Sequence, residues 1–318
     1  MINDQIKLLR FWITRTILKI LNWHVAALTR EHSVEPKGMS IIHKTVFEYH
    51  ESLAARHLER QSDALCHSLN GKRLHYCDIG ARGGTPSWLL PYGSSLEISL
   101  FEPNQSEFRL ISEHFGEAVV HRYSFGVGNP ADNTLNITRS PGLSSLLRPF
   151  GSGWSLMRGD DLNAVRSKLE LQSTQTIQLK PLKDLVSYTN SPIDILKIDV
   201  QGYEYEVLAG LGEHRPMLIQ CEVSSVEIYQ TQKTMGAVFA HLEELGYFPA
   251  KLMPAKNYCH LSGDARRNSY RFHGDVVFVP NYGISGAKII DRWPEAWRCV
   301  MELWNLRDIG QNMRPELF

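Results

Sequence analysis

Four short stretches of this sequence place acids, a lysine and glycines where chemistry can be done. The first is Leu74–Gly84, LHYCDIGARGG, in which an apolar run reaches Asp78 and then Gly80, Gly83 and Gly84. Glycines suit a sharp turn from strand to helix where a ligand approaches the backbone. A dinucleotide would bring a pyrophosphate to this turn, and Asp78 would repel it. A sulfonium and an α-ammonium are both cationic, and Asp78 would attract them; the helix N-terminus would take a ligand carboxylate. The competing reading makes Asp78 a helix cap or turn former.

The second stretch, Ile98–Asn104 (ISLFEPN), ends an apolar strand in Glu102, which can accept both hydroxyls of a ribose. That supports a nucleoside without naming it, and an exposed strand-end charge is the alternative. The third, Asp194–Gly210, places Lys197 and Asp199 two residues apart on one side of an apolar strand. Such charges are costly there unless paired or functional, and a structural ion pair is the plainer reading. The fourth, Met217–Val223, ends in Glu222. Asp199 and Glu222 both fall at carboxyl ends of strands, where doubly wound sheets bind ligands. Two carboxylates there can orient an acceptor hydroxyl and take its proton, with Lys197 holding Asp199 in place or ionised. The same acids with Asp78 would suit a divalent metal, but no spacing demands one, and no metal ligand is assigned.

These residues need a frame. Expected strands are Leu74–Ile79, Glu97–Phe101, Val119–Phe125, Thr176–Leu179, Ile193–Val200, Met217–Val223, Tyr247–Leu252 and Asp275–Val279. Expected helices are Ser106–Phe115, Tyr203–Gly210 and Lys233–Leu245, and His43–Leu69 precedes the Asn70-Gly71 stop. Alternation of strand and helix predicts a mostly parallel α/β sheet covered on both faces. Asn129–Ser152, rich in Gly, Pro, Ser and Asn, reads as an inserted hairpin and loop over the ligand side, and Trp154–Gln175 as a partly helical excursion. The division is residues 1–35, a basic amphipathic helical segment; 36–282, the catalytic domain; and 283–318, a helical tail whose Trp293, Trp297 and Trp304 suit a core cap or a dimer surface. Oligomeric state is not assigned.

Together these segments resemble the FkbM family of S-adenosylmethionine-dependent methyltransferases. The family's DxGAxxG loop appears as Asp78–Gly84, its FEP strand end as Phe101-Glu102-Pro103, and its Ser-Ser-Leu segment as Ser144-Ser145-Leu146. Its LKIDVEGxE signature appears as Leu196–Glu204 and its xQxEV strand as Ile219–Val223. The resemblance covers about Leu74 to Pro280. It implies a doubly wound class I methyltransferase fold of seven strands, the last antiparallel at Asp275–Val279. It implies S-adenosylmethionine held by Asp78, Gly80, Ala81, Arg82, Gly83, Gly84, Glu102 and Gly126, and methylation of oxygen on a sugar, glycan or natural-product-like small molecule. Two departures stand out. Arg82 replaces a common Asn, and Gln201 replaces the signature's Glu, which removes that position as a base.

Bulk properties narrow the field. Of 318 residues, 43% are hydrophobic and 21% charged, with 34 basic and 34 acidic side chains. That balance argues against nucleic-acid binding driven by bulk charge. Five cysteines without CxxC spacing argue against a disulfide framework or a structural zinc site and point to a reducing, cytoplasmic setting; the Cys259-His260 pair reads as loop. Ile6–Val25 is apolar but interrupted by Lys7, Arg10, Arg15 and Lys19, unlike a signal peptide. Such a helix packs on the protein's own core or a second subunit, or lies on the inner face of a membrane. Three rivals to a small-molecule methyltransferase stay open at this point: a nicotinamide-dependent oxidoreductase, disfavoured by Asp78 and the missing G-x-G-x-x-G; a membrane-associated scaffold without catalysis; and an N-methyltransferase acting on protein or nucleic acid.

Overall fold

Seven stretches, most of them apolar, pair side by side in one sheet. In the computed structural model, which describes residues 65, 67–156, 162–189, 191–254, 273–281 and 283–318, the strands are as follows. β1 (Leu74–Ile79), β2 (Leu96–Phe101) and β3 (Val119–Tyr123) come first. An insertion carries β4 (Gly126–Val127), β5 (Thr134–Thr138), β6 (Leu171–Thr176) and β7 (Leu179–Lys180). β8 (Ile195–Ile198), β9 (Leu218–Ser224), β10 (Tyr247–Pro254) and β11 (His273–Pro280) complete the set. The main sheet runs β10-β11-β9-β8-β1-β2-β3. All its neighbours are parallel except β11, which is antiparallel to both β10 and β9. This is the class I methyltransferase arrangement, and the antiparallel strand falls where the sequence places it.

Helices α1 (Gln105–Phe108), α2 (Leu162–Lys168), α3 (Val186–Thr189), α4 (Glu204–Ala209), α5 (Met235–Glu244), α6 (Ile284–Asp291), α7 (Pro294–Leu303) and α8 (Arg307–Met313) connect and cover the strands. Every residue of β1 is buried, as expected for a strand covered on both faces. The core is continuous from Leu74 and Ile98 through Leu196 and Ile219 to Val277. The final segment joins it. Trp297 is wholly buried and Trp304 nearly so, its indole N–H donating to Gln220 Oε1 at 3.1 Å. These two tryptophans cap the core.

Three expectations change. The helix expected over Ser106–Phe115 stops at Phe108. Beyond it, Ser112 Oγ bonds the carbonyl of His114 and accepts from its N–H, a local arrangement that competes with helical pairing. The strand expected over Thr176–Leu179 is instead two, because β6 is the antiparallel partner of β5 and β7 pairs with β4. The excursion over Trp154–Gln175 therefore closes on β6. The expected Ile6–Val25 helix, nearly all of His43–Leu69 and the Cys259-His260 pair lie outside the described residues. Among the described residues, no helix is long and apolar enough to cross a membrane.

Candidate active site

Register aligns the acids. Ile79 pairs with Phe101 and with Ile198, and Ile198 pairs with Cys221. Gly80, Glu102, Asp199 and Glu222 each follow one of these residues, so all four stand at one level, the first three just past the carboxyl ends of β1, β2 and β8 and Glu222 within β9. A cavity opens there, as doubly wound sheets place their ligands. Gly80, Arg82, Glu102, Gly126, Asp199 and Gln201 line it. The insertion supplies the opposite wall through Leu135, Ser144, Ser145, Leu146, Ile177 and Leu179. That wall is held in place: Asn136 Nδ2 donates to the carbonyls of Ser145 and Leu146, both at 3.2 Å, and Gly151 N donates to Ile228 O at 2.7 Å.

The glycine loop is shaped by space as well as conformation. Gly80 has φ +82°, and a Cβ there would stand 2.0 Å from the carbonyl oxygen of Asp199. At Gly126 a Cβ would meet Leu179 Cδ2 at 2.6 Å. Glu102, 6% exposed, accepts from Asn104 N at 2.8 Å, and burial pushes its carboxyl up to about 7. Arg82 reaches over the cavity and pairs with Glu107 at 2.7 Å.

The lysine pairs with the expected Asp199 and, more closely, with a second carboxylate. Lys197 stands opposite Asp78 in the sheet, and its Nζ lies 3.0 Å from Asp78 Oδ1 but 3.9 Å from Asp199 Oδ2. Burial works against the ammonium, yet Asp78 and Asp199 outweigh it and hold Lys197 charged. Asp78 is 1% exposed, takes a further bond from the Tyr76 hydroxyl at 3.3 Å, and sits below the cavity floor rather than in its wall. Its carboxylate therefore answers Lys197 first, not a ligand cation. Ala81 is buried and donates to Phe101 O, while Gly83 and Gly84 shape the turn with positive φ; none of the three lines the cavity.

At the far end, Gln201 Nε2 donates to Asp199 Oδ1 at 2.8 Å and to Glu222 Oε2 at 3.1 Å. Burial, then Asp199 and Glu204, push the Glu222 carboxyl well above its ordinary range. His273 Nε2 lies 3.6 Å from Glu222 Oε1, and burial lowers its imidazole to about 4. Three contributors escaped the sequence reading. Glu204 Oε1 accepts from Val200 N and Gly202 N, both at 3.1 Å, and so ties the turn that carries Gln201. Tyr229 donates toward Gln201, and His273 arrives from β11. Of these only Glu204 had a local signal, its place two residues after Gly202.

A model of the methyltransferase FkbM domain matches residues 78–249, just over half of the chain. The chain belongs to this family. Its members use S-adenosylmethionine, which sets aside the nicotinamide alternative. No curated protein matches the chain. Solved structures with a similar arrangement include magnesium protoporphyrin IX methyltransferase from Synechocystis PCC 6803 (10% identity, 78% of this chain and 87% of that one, TM-score 0.34). Others are a TehB-like methyltransferase from Corynebacterium glutamicum (11%, 75% and 97%, TM-score 0.30) and 1,6-didemethyltoxoflavin-N1-methyltransferase from Burkholderia thailandensis (10%, 78% and 93%, TM-score 0.29).

The residues present fit the family's cofactor. Glu102 puts a buried carboxylate in the wall, the kind of acceptor ribose hydroxyls need, and Leu135, Ile177 and Leu179 add apolar lining. The Cβ atoms that Gly80 and Gly126 lack would intrude on the walls of this space. Among the described residues, no group of three or more His, Cys, Asp or Glu is placed to hold a metal ion.

Proposed function

We propose that this FkbM-family methyltransferase methylates the oxygen of a hydroxyl group on a sugar, glycan or natural-product-like small molecule. The observation that carries the reading is the Asp199–Gln201–Glu222 arrangement beside the cofactor cavity. A hydroxyl needs a proton acceptor when it attacks carbon, and a carboxylate within hydrogen-bond reach supplies one.

The bound cofactor supplies a methyl group activated by its sulfonium. Glu102 would accept the ribose hydroxyls, and the Gly80 turn would lie against the ligand. Asp199 lines the same cavity, and its side chain is 38% exposed, so it can receive a proton from an acceptor hydroxyl and pass it to water. The insertion wall around Ser144 and Leu146 bounds the cavity on the side facing the strand ends. Most of the rate gain in such a displacement comes from holding acceptor oxygen and methyl carbon in line.

The test combines calorimetry with S-adenosylhomocysteine and methyl transfer from labelled S-adenosylmethionine to a panel of hydroxylated acceptors. Asp199→Asn is expected to bind S-adenosylhomocysteine like wild type and to lose roughly 10²–10⁴-fold in turnover. Turnover of Asp199→Asn at the wild-type rate overturns the assignment of the base, and methylation of amines in place of hydroxyls overturns the acceptor class.

A further inference from the structure

Gln201 stands between two carboxylates, with both amide hydrogens used. A carboxamide has two N–H donors, and here one goes to Asp199 and the other to Glu222. Its orientation follows from its neighbours. Gln201 Oε1 lies 3.2 Å from the buried Tyr229 hydroxyl, whose one proton it shares with the nearer carbonyl of Leu143 at 3.0 Å. Turned over, the amide would aim its oxygen at two carboxylates. The outer oxygens of the pair have basic neighbours, Lys197 toward Asp199 Oδ2 and His273 toward Glu222 Oε1. A row results: Lys197, Asp199, Gln201, Glu222, His273.

The surroundings are acidic. Asp78 on β1, Asp275 on β11 in register with Glu222, and Glu204 on α4 act on the row, against Lys197 as the fixed cation. Two carboxyls this close are relieved by a proton held on one of them or by a group of positive character between them. A divalent cation commonly plays that part, through oxygen ligands. Here the place is taken by the side chain of Gln201, held there in a left-handed backbone conformation at φ +57° that a residue with a Cβ adopts only at a cost.

We infer that Gln201 is a positioning residue that stands in for a bridging divalent cation. It fixes the spacing of Asp199 and Glu222 so that the acceptor's proton passes to an Asp199 oxygen, and then to water, without metal. The inference rests on the proposed role of Asp199.

Manganese chloride is the probe. Binding of Mn²⁺ to the full chain is followed by the loss of the free-ion electron paramagnetic resonance signal. Wild type, Gln201→Glu and Gln201→Gly are measured, each with and without Glu222→Gln. Gln201→Glu places a third carboxylate in the row and is expected to gain one stoichiometric site, at least tenfold tighter than any wild-type binding and abolished by Glu222→Gln. Gln201→Gly relieves the backbone strain and opens the gap, so it keeps the test valid if the added charge unfolds the first variant. It is expected to gain a weaker site with the same dependence on Glu222. Wild-type binding of Mn²⁺ that Glu222→Gln removes overturns the inference, as does the absence of any gain in both variants. Calorimetry of wild type with S-adenosylhomocysteine separates the two levels: its failure removes the methyltransferase reading, whereas the Mn²⁺ result speaks only for Gln201.

Discussion

Lys197 Nζ lies 3.0 Å from Asp78 Oδ1, directly across neighbouring strands at the heart of the sheet. The pair is structural support beneath the cavity: Asp78 is almost wholly buried, and Lys197 spans from it toward Asp199. Removing one partner of a buried pair strands the other charge. Lys197→Met is expected to cost about 3–5 kcal/mol in urea unfolding at pH 8. The sign of the pH effect follows from Asp78. Burial already raises its carboxyl, and Lys197 opposes that rise. Without the lysine the folded-state value climbs further, so stability is retained in acid and lost as pH rises. The deficit is therefore smaller at pH 5.5 than at pH 8. A cost below about 1 kcal/mol at both values would make the pair an incidental surface-type contact.

Glu102 gives a second pH handle. Burial raises it from 4.5 to about 7. A carboxyl raised in the folded state contributes its stability in acid and loses it as pH rises from about 4.5 through about 7. The loss amounts to roughly 3 kcal/mol by linkage. Glu102→Gln keeps the bond from Asn104 N but has no charge to bury. It is expected to match wild type at pH 5 and to melt higher at pH 8. Cofactor affinity should run the other way. Wild-type binding of S-adenosylhomocysteine weakens from pH 8 to pH 6 as the ribose acceptor is protonated, and the variant binds weakly throughout. Equal pH profiles for the two proteins would remove Glu102 from the ribose site.

Glu204 separates a hydrogen-bonding role from a charged one. It is 3% exposed, burial pushes it up to about 8, and one oxygen accepts two backbone N–H groups of the Val200–Gly202 turn. Glu204→Gln keeps an acceptor and is expected to fold and bind S-adenosylhomocysteine like wild type at pH 7. Glu204→Ala leaves two buried donors unmatched, at about 1–3 kcal/mol each. It should melt lower and bind poorly, because the same turn presents Gln201. If the alanine and glutamine variants behave alike, the turn is held by other contacts.

The sheet was legible because buried parallel strands read as apolar runs that stop at an acid. β1 occupies Leu74–Ile79 as the sequence predicts, and Glu102 and Asp199 stand just past strand ends as expected, whereas β9 runs two residues beyond Glu222. Pairing across the sheet was not legible. That Lys197 answers Asp78 before Asp199 depends on register between β1 and β8, and spacing along one strand favours the nearer partner in sequence. β6 was missed because it is polar and mostly exposed, with no apolar alternation to mark it. Tyr229 and His273 reach the site from distant segments and carry no local pattern. Gln201 was visible as a departure from the family signature, but its meaning needed the two carboxylates on either side.

The last prediction distinguishes two kinds of glycine in one loop. Gly80 and Gly83 have nearly the same left-handed conformation, with φ +82° and +81°. A Cβ at Gly83 meets nothing within 4 Å, so Gly83→Ala carries only the conformational cost of about 1–2 kcal/mol. At Gly80 the Cβ would stand 2.0 Å from the backbone oxygen of Asp199, which no rotamer change relieves. Gly80→Ala must push the ends of β1 and β8 apart, and with them Asp199. It is expected to be clearly less stable than Gly83→Ala and to lose S-adenosylhomocysteine binding, measured by thermal unfolding and calorimetry on the two variants side by side. Equal losses would mean that the loop needs glycine for its dihedral angles alone, and that the close approach of Gly80 to Asp199 does not set the geometry of the site.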